Sequence, residues 1–165
     1  MRPVRKRWTP PQNGWLKCNI DGSYVDSFTP STAGWVIRDS NGYYLVAGQA
    51  KVNKVHNALE SEIQALLIAM QFCWSKGYKK IIFEADNKKI IDILTKERLH
   101  FDVHNWIREM IWWSSKFEEV QYHWIGREGS TVADQFAKQQ LPENISYVFH
   151  FFVPRCMNSF LHHDY

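Results

Sequence analysis

The sequence predicts one α/β domain with its elements in the order βββαβααβα, and three observations carry that reading. Apolar and polar residues alternate in Leu16-Lys17-Cys18-Asn19-Ile20, and Ile81-Ile82-Phe83 is a continuous apolar run; both are strand patterns. Elsewhere apolar residues recur at helical spacing, as in Ile63, Leu66, Leu67 and Met70. Asn41-Gly42, set between two extended segments, marks a hairpin. With 165 residues, 45% of them hydrophobic and 15% aromatic, the chain is long enough to fill a single core.

Each element has its own local signal. A leader rich in proline and basic residues occupies 1–14, the domain is expected over 15–141, and 142–165 reads as a tail that packs on the domain or extends from it. After the first strand, a loop through Ser27-Phe28-Thr29-Pro30-Ser31 leads to strands from Gly34 to Arg38 and from Tyr43 to Ala50. Asn57 is placed to cap a helix from Ala58 to Ser75, with Gly77 as its stop. A strand from Lys80 to Ala85 follows, then a short helix from Asn87 to Thr95. The next helix, from Asp102 to Phe117, carries Trp106, Ile107, Met110, Ile111 and Trp113. A fifth strand runs from Glu119 to Ile125. The chain then turns through Gly126-Arg127-Glu128-Gly129, and Ser130 or Thr131 caps a last helix with Val132, Ala133, Phe136 and Ala137 inward. Trp35, Trp106 and Trp113 follow core periodicity rather than that of a base-stacking surface.

Composition narrows the setting. The basic start Met1-Arg2-Pro3-Val4-Arg5-Lys6-Arg7-Trp8 is not followed by an apolar stretch, so no secretory signal is expected. The late apolar run from Tyr147 to Val153 is too short for a bilayer. Cys18, Cys73 and Cys156 are odd in number and lack CxxC spacing, which argues against a disulfide framework or a thiolate zinc site. An intracellular protein, nuclear or cytoplasmic and monomeric, is expected. The 20 Lys and Arg exceed the 17 Asp and Glu by three, and the excess becomes +7 when four ligand carboxylates are set aside. Clusters at Arg2/Arg5/Lys6/Arg7, Lys76/Lys79/Lys80 and Lys88/Lys89 then suit a polyanionic partner.

Four acids stand where strand and helix ends can converge. Asp21 closes the first alternating strand and Asp86 directly follows the buried one, while Glu62 and Asp134 fall near helix starts. Glu60 competes with Glu62, being two residues earlier on the same helix start. Four gathered carboxylates need a cation, and an oxygen-only donor set suits Mg2+ or Mn2+.

Taken together, these segments resemble the ribonuclease H fold, and specifically the plant ribonuclease H-like domains related to non-LTR retroelements. The likeness lies in the entry from Trp8 to Gly22, in Glu60-Ser61-Glu62-Ile63-Gln64-Ala65-Leu66, in Glu84-Ala85-Asp86, and in the stretch from Arg127 to Asp134. Even the tail from Val153 to Asp164 is similar. Each motif alone is weak; four in the right order on the right elements are specific.

The resemblance implies a five-stranded mixed sheet in the order 3-2-1-4-5, flanked by helices. Its Glu-x-x-Ala pattern selects Glu62 over Glu60. It implies two divalent ions, Mg2+ or Mn2+, held by Asp21, Glu62, Asp86 and Asp134, with Asp21 bridging, Asp134 on the nucleophile side, and Glu62 and Asp86 on the leaving-group side. The implied activity is endonucleolytic hydrolysis of the RNA strand of an RNA–DNA hybrid, read through its 2′-hydroxyls by the backbone of Gly22 and Ser23 and by Glu62. The chain departs from the pattern where relatives often carry a loop histidine ten residues before the last acid, because Trp124 stands there and alternation turns His123 to the opposite face. It also lacks the basic handle between the middle helices. The other reading is a domesticated module that keeps the fold and binds nucleic acid or scaffolds partners with little catalysis. DEDD exonucleases are disfavoured, since their Asp-x-Glu pair is replaced by Asp21-Gly22-Ser23.

Overall fold

The computed structural model of the chain describes residues 7–52, 55–96 and 104–163. The basic residues Arg2, Arg5 and Lys6, and the expected helix start at Asp102, lie outside the described residues. Three strands come first: β1 (Leu16–Ser23), β2 (Ser31–Arg38) and β3 (Tyr44–Val52). Helix α1 (Ala58–Ser75), strand β4 (Lys80–Ala85), helices α2 (Lys88–Lys96) and α3 (His104–Ser114), and strand β5 (Glu119–Trp124) follow. Helix α4 (Thr131–Lys138), strand β6 (Tyr147–His150) and helix α5 (Asn158–His163) complete the chain.

The sheet has six strands in the order β5-β4-β1-β2-β3-β6, not five. The expected order 3-2-1-4-5 is contained in it, and the extra strand comes from the tail, where Tyr147 to His150 pair antiparallel with Ala50 to Ala47. Four residues ending in a histidine make a short strand pattern in sequence; pairing against β3 is what fixes them. β1 also runs two residues past Asp21, so that acid sits inside the strand rather than at its end.

Strand alternation gives the sheet two different faces. Ile20, Trp35, Ile37, Ile81 and Phe83 point to the face covered by α1, α2 and α3. Val36 and Ala47 point to the other, where Val132, Ala133 and Phe136 of α4 meet Met157 and Leu161. A Cβ at Gly34 would lie 2.4 Å from the Ala137 nitrogen, so the missing side chain is what lets α4 lie directly on β2. Trp35 is wholly buried, while Trp106 and Trp113 are only partly covered, packed against the rim of the larger core.

Capping follows the sequence in one helix and departs from it in another. Asn57 Oδ1 accepts the Glu60 N–H at 2.9 Å while Glu60 Oε2 accepts the His56 N–H at 2.9 Å, which occupies Glu60 in starting α1. At α4, Ser130 holds the cap position but its side chain makes no capping bond, and the buried Ser130 Oγ has no partner. The hairpin turn is closed by the Gly42 N–H on the Asp39 carbonyl at 3.0 Å, with Gly42 at φ 82°. No helix among the described residues is long and apolar enough to cross a membrane.

Candidate active site

The parallel register of β1 and β4 ends with Ile20 beside Ala85, so the next residues, Asp21 and Asp86, emerge side by side at the same end of the sheet. Glu62 comes to them from α1. The approach is close because residue 22 is glycine: a Cβ there would lie 2.6 Å from Ser61 Oγ and 2.8 Å from the Ser61 carbonyl carbon. The Gly22 N–H then serves two carboxylates, donating to Asp21 Oδ1 at 3.0 Å and to Glu62 Oε1 at 3.1 Å. Oxygens of Asp21, Glu62 and Asp86 all lie within 4.8 Å of one another.

These carboxyls line a cavity of about 450 Å³, which Asp134 joins from α4. Asp21 is pushed up to about 11, first by burial and then by its hydrogen bond and repulsion with Glu62, with Asp134 and Asp86 adding to both effects. Glu62 is raised to about 7, chiefly by burial, against the lowering effect of its bonds with Asp21 and the Gly22 N–H. Burial also raises Asp86, opposed by the charge of Arg127, whose Nε is 3.9 Å from Asp86 Oδ2. Lys138 Nζ sits 2.8 Å from Asp134 Oδ2. Burial and proximity thus favour the protonated form of these carboxyls.

The donor set fits a divalent ion. Every candidate ligand atom is a carboxylate oxygen, and Glu62 Oε2 is buried with no hydrogen-bond partner. A buried carboxylate oxygen left bare is expensive unless something positive meets it, and hard oxygen donors of this kind suit Mg2+ or Mn2+.

Beneath the acids, the same sheet face carries a second polar row. Asn19 is the register partner of Glu84, and its Nδ2 donates to Glu84 Oε1 at 2.9 Å. Lys17 Nζ pairs with Glu84 Oε2 at 3.2 Å and donates to the Thr9 carbonyl at 2.7 Å. Arg38 Nη2 donates to Asn19 Oδ1 at 3.2 Å while its guanidinium lies 3.8 Å from the centre of the Trp8 ring. All five side chains are buried. Asn19 and Glu84 each lie two residues before a site acid, so this network fixes the backbones that carry Asp21 and Asp86.

The four sequence-selected acids, and Gly22 and Ser23, therefore meet in one cavity. Trp124 is not in a loop: it ends β5, half-exposed, and its indole N–H donates to the Asp86 carbonyl at 3.1 Å. His123, the register partner of Glu84, lies on the sheet face of the polar row beneath the acids, opposite to the face Trp124 takes, and pairs with Gln121 at 3.0 Å. Sequence reasoning missed Tyr24, Asn87, Arg127 and Lys138 in the lining. Lys138 had a signal, the i, i+4 spacing from Asp134 on one helix; Arg127 in a turn had none.

Residues 19–140 match the model of a family described as reverse transcriptase-like. An Arabidopsis thaliana protein provisionally named a ribonuclease H protein is 26% identical over 95% of this chain, which spans 25% of that protein's length. Among solved structures, ribonuclease H1 of the halophilic archaeon Halobacterium salinarum superposes with a TM-score of 0.70 at 18% identity, covering 74% of this chain and 94% of its own. The N-terminal ribonuclease H domain of a Mycobacterium tuberculosis protein gives 0.67 at 17%, covering 74% and 90%. A ribonuclease H1 crystallised with an RNA/DNA hybrid gives 0.66 at 16%, covering 73% and 92%. At these identities the structures establish a shared fold.

Proposed function

Since the chain belongs to the reverse transcriptase-like family and has the ribonuclease H fold, we propose that it is an endoribonuclease that hydrolyses the RNA strand of RNA–DNA hybrids with divalent metal ions. The observation that carries the reading is the convergence of Asp21, Glu62 and Asp86 within 4.8 Å, with a bare buried oxygen on Glu62. A module kept only to bind or scaffold has no use for three carboxyls held together where burial raises the pKa of each.

Asp21, Glu62, Asp86 and Asp134 would hold the divalent ions. When bound, such ions stabilise the charge on the attacking and departing oxygens of an in-line phosphoryl displacement. The chain's own groups orient the reactants. The Gly22 N–H fixes both the Asp21 and Glu62 carboxylates, and with Ser23 it lines the cavity where a ribose would pass. Arg127, almost fully exposed at the rim, is free to turn from Asp86 toward a phosphate. The water oxygen forms a bond to phosphorus, the bond to O3′ breaks, O3′ takes a proton, and the products are a 3′-hydroxyl and a 5′-phosphate. Trp124 cannot relay that proton, because an indole only donates.

The test is cleavage of a hybrid labelled on its RNA strand, with millimolar Mn2+ and micromolar protein. The expected result is RNA cut internally, duplex DNA intact, and no cutting by Asp21→Asn. Cleavage no greater than that of Asp21→Asn would reject the enzyme reading and leave the binding module.

A further inference from the structure

Helix α1 starts beside the acids, and its far end carries a different stripe. Phe72 and, at the C-cap, Lys76 are four residues apart and so share one face. That face borders a cleft of about 530 Å³, and Tyr147 and Phe149 of the tail strand β6, on one side of that strand by alternation, line it as well. Trp35 of β2 forms the floor, its ring lying against Gly48 of β3, where a Cβ would fall 2.1 Å from it. Lys51, near the end of β3, completes the set.

The lining is aromatic and basic at once. Ring centres of Phe72 and Phe149 stand 4.6 Å apart, those of Trp35 and Phe72 5.8 Å, and those of Tyr147 and Phe149 5.3 Å with their planes 31° apart. Tyr147 is 63% exposed and Phe149 38%, so both still offer ring surface to a partner. Beyond β6 the chain bends, and the Phe151 ring centre comes within 4.6 Å of Lys76 Nζ, which is also 5.7 Å from that of Phe72. Lys51 Nζ is held by the Pro142 and Glu143 carbonyls at 2.7 and 3.1 Å. Rings and carbonyls thus fix both ammoniums, and among the described residues that line the cleft there is no carboxylate. The Trp35 indole N–H, buried at the floor, has no hydrogen-bond partner, a cost that an acceptor on a ligand would relieve.

We propose that this cleft is a binding site for single-stranded nucleic acid, separate from the acidic site. Every base has a flat π face to lay on a ring, and every phosphate brings the negative charge that Lys51 and Lys76 lack beside them. Rings interleaved with cations are how strands are held without regard to sequence. A purely apolar segment fits less well, because it would take water from two lysines without neutralising them. Phe72 lies ten residues beyond Glu62, roughly 15 Å along α1 at 1.5 Å per residue, so a strand held here leaves the acids open. Tyr147 and Phe149 also lie outside residues 19–140, the stretch that matches the family model, so the site is an addition to what that model describes.

Fluorescence anisotropy of a labelled oligothymidylate of about twelve nucleotides, titrated in EDTA, tests the proposal apart from hydrolysis, and its failure would leave the hydrolytic reading of the acids standing. The wild type should bind with a Kd of roughly tens of micromolar at about 100 mM salt. An abasic strand of the same length and charge should bind at least about 5-fold more weakly, and Tyr147→Ala should weaken oligothymidylate by about the same factor, since each loses stacking. Lys76→Gln should lower the slope of log affinity against log salt by about 0.7, the share of one phosphate contact on a single strand. Both variants should melt within a few degrees of the wild type, and Arg127→Ala, at the acidic site, should leave the affinity unchanged. Equal binding of the abasic strand, indifference to Tyr147→Ala and Lys76→Gln, or loss of binding in Arg127→Ala would overturn the inference. So would an acidic aromatic peptide that binds where oligothymidylate does not, which would make the cleft a protein-docking surface.

Discussion

Replacing Asp21 by asparagine should make the metal-free protein more stable above neutrality, and the gain should grow with pH. Burial raises Glu62 from the usual 4.5 to about 7, helped by the charges of Asp86 and Asp134 and opposed by its bond with Asp21, and burial with Glu62 alongside holds Asp21 higher still. A carboxyl raised on folding keeps a proton that the unfolded chain gives up. At Asp21 that stabilising contribution is full below about 3.8 and drains away as pH climbs toward about 11. The gain comes from Asp21 itself, whose ordinary value of 3.8 lies far below its folded one; at about 1.4 kcal/mol for each pH unit the ceiling at pH 7.5 is about 5 kcal/mol, of which relaxation around the site leaves roughly 1–3 kcal/mol. In Asp21→Asn the Gly22 N–H can still donate to the side-chain oxygen, and the amide can donate toward Glu62, so the raised Asp21 carboxyl is gone while the packing is kept. Burial lowers His123 and His150, which makes their own contribution rise with pH toward 6.5. They are common to both proteins and cancel in the difference. At pH 7.5 in EDTA the variant should melt roughly 3 to 10 °C above the wild type, taking 1–3 kcal/mol and 2–4 °C per kcal/mol for a domain of this size. At pH 4.5 the two should nearly coincide. Millimolar Mn2+ should raise the wild type by a comparable amount, since a ligand at 100 times its Kd contributes about 2.7 kcal/mol, and should raise the variant much less. A difference in melting temperature that is flat with pH, or that favours the wild type at pH 7.5 without metal, would show that the carboxyls are not packed as described.

Two further substitutions probe what surrounds the acids. Trp124→His should raise kcat on a hybrid several-fold by adding a group that can pass a proton, within the roughly 100-fold credited to such help, at a stability cost of about 1 kcal/mol because the half-exposed indole loses mainly its bond to the Asp86 carbonyl; a folded variant with unchanged or lower kcat in single-turnover assays would refute it. Glu84→Gln strands the buried Lys17 ammonium and should cost about 3 kcal/mol, seen as a fall of roughly 6 to 12 °C in thermal melts, whereas Lys17→Met with Glu84→Leu should recover most of that loss; equal damage from both would mean that the buried pair itself stabilises the fold.

The two arms of the site were legible to different degrees, and the reason is physical. Asp21 lies in β1 and Asp86 directly follows β4, strands whose apolar neighbours, Ile20 and Ala85, are read from the strand pattern, and parallel pairing of those strands brings the acids together. Glu62 needed a resemblance to separate it from Glu60, because helical spacing alone puts both at the start of α1; the structure separates them by work, Glu60 capping the helix and Glu62 accepting from Gly22. The sixth strand was not legible, since Tyr147 to His150 is too short to speak for itself and acquires its conformation from β3. Nor was the row of Lys17, Asn19 and Glu84. Their spacing of two, ahead of Asp21 and Asp86, looks like the solvated half of an amphipathic strand until Trp8 and Arg38 close over it. That misreading has a cause: alternation shows which residues share a face but not whether anything covers it. In this fold the leader covers that face, so residues reading as surface in sequence become the buried support on which the acidic site is built.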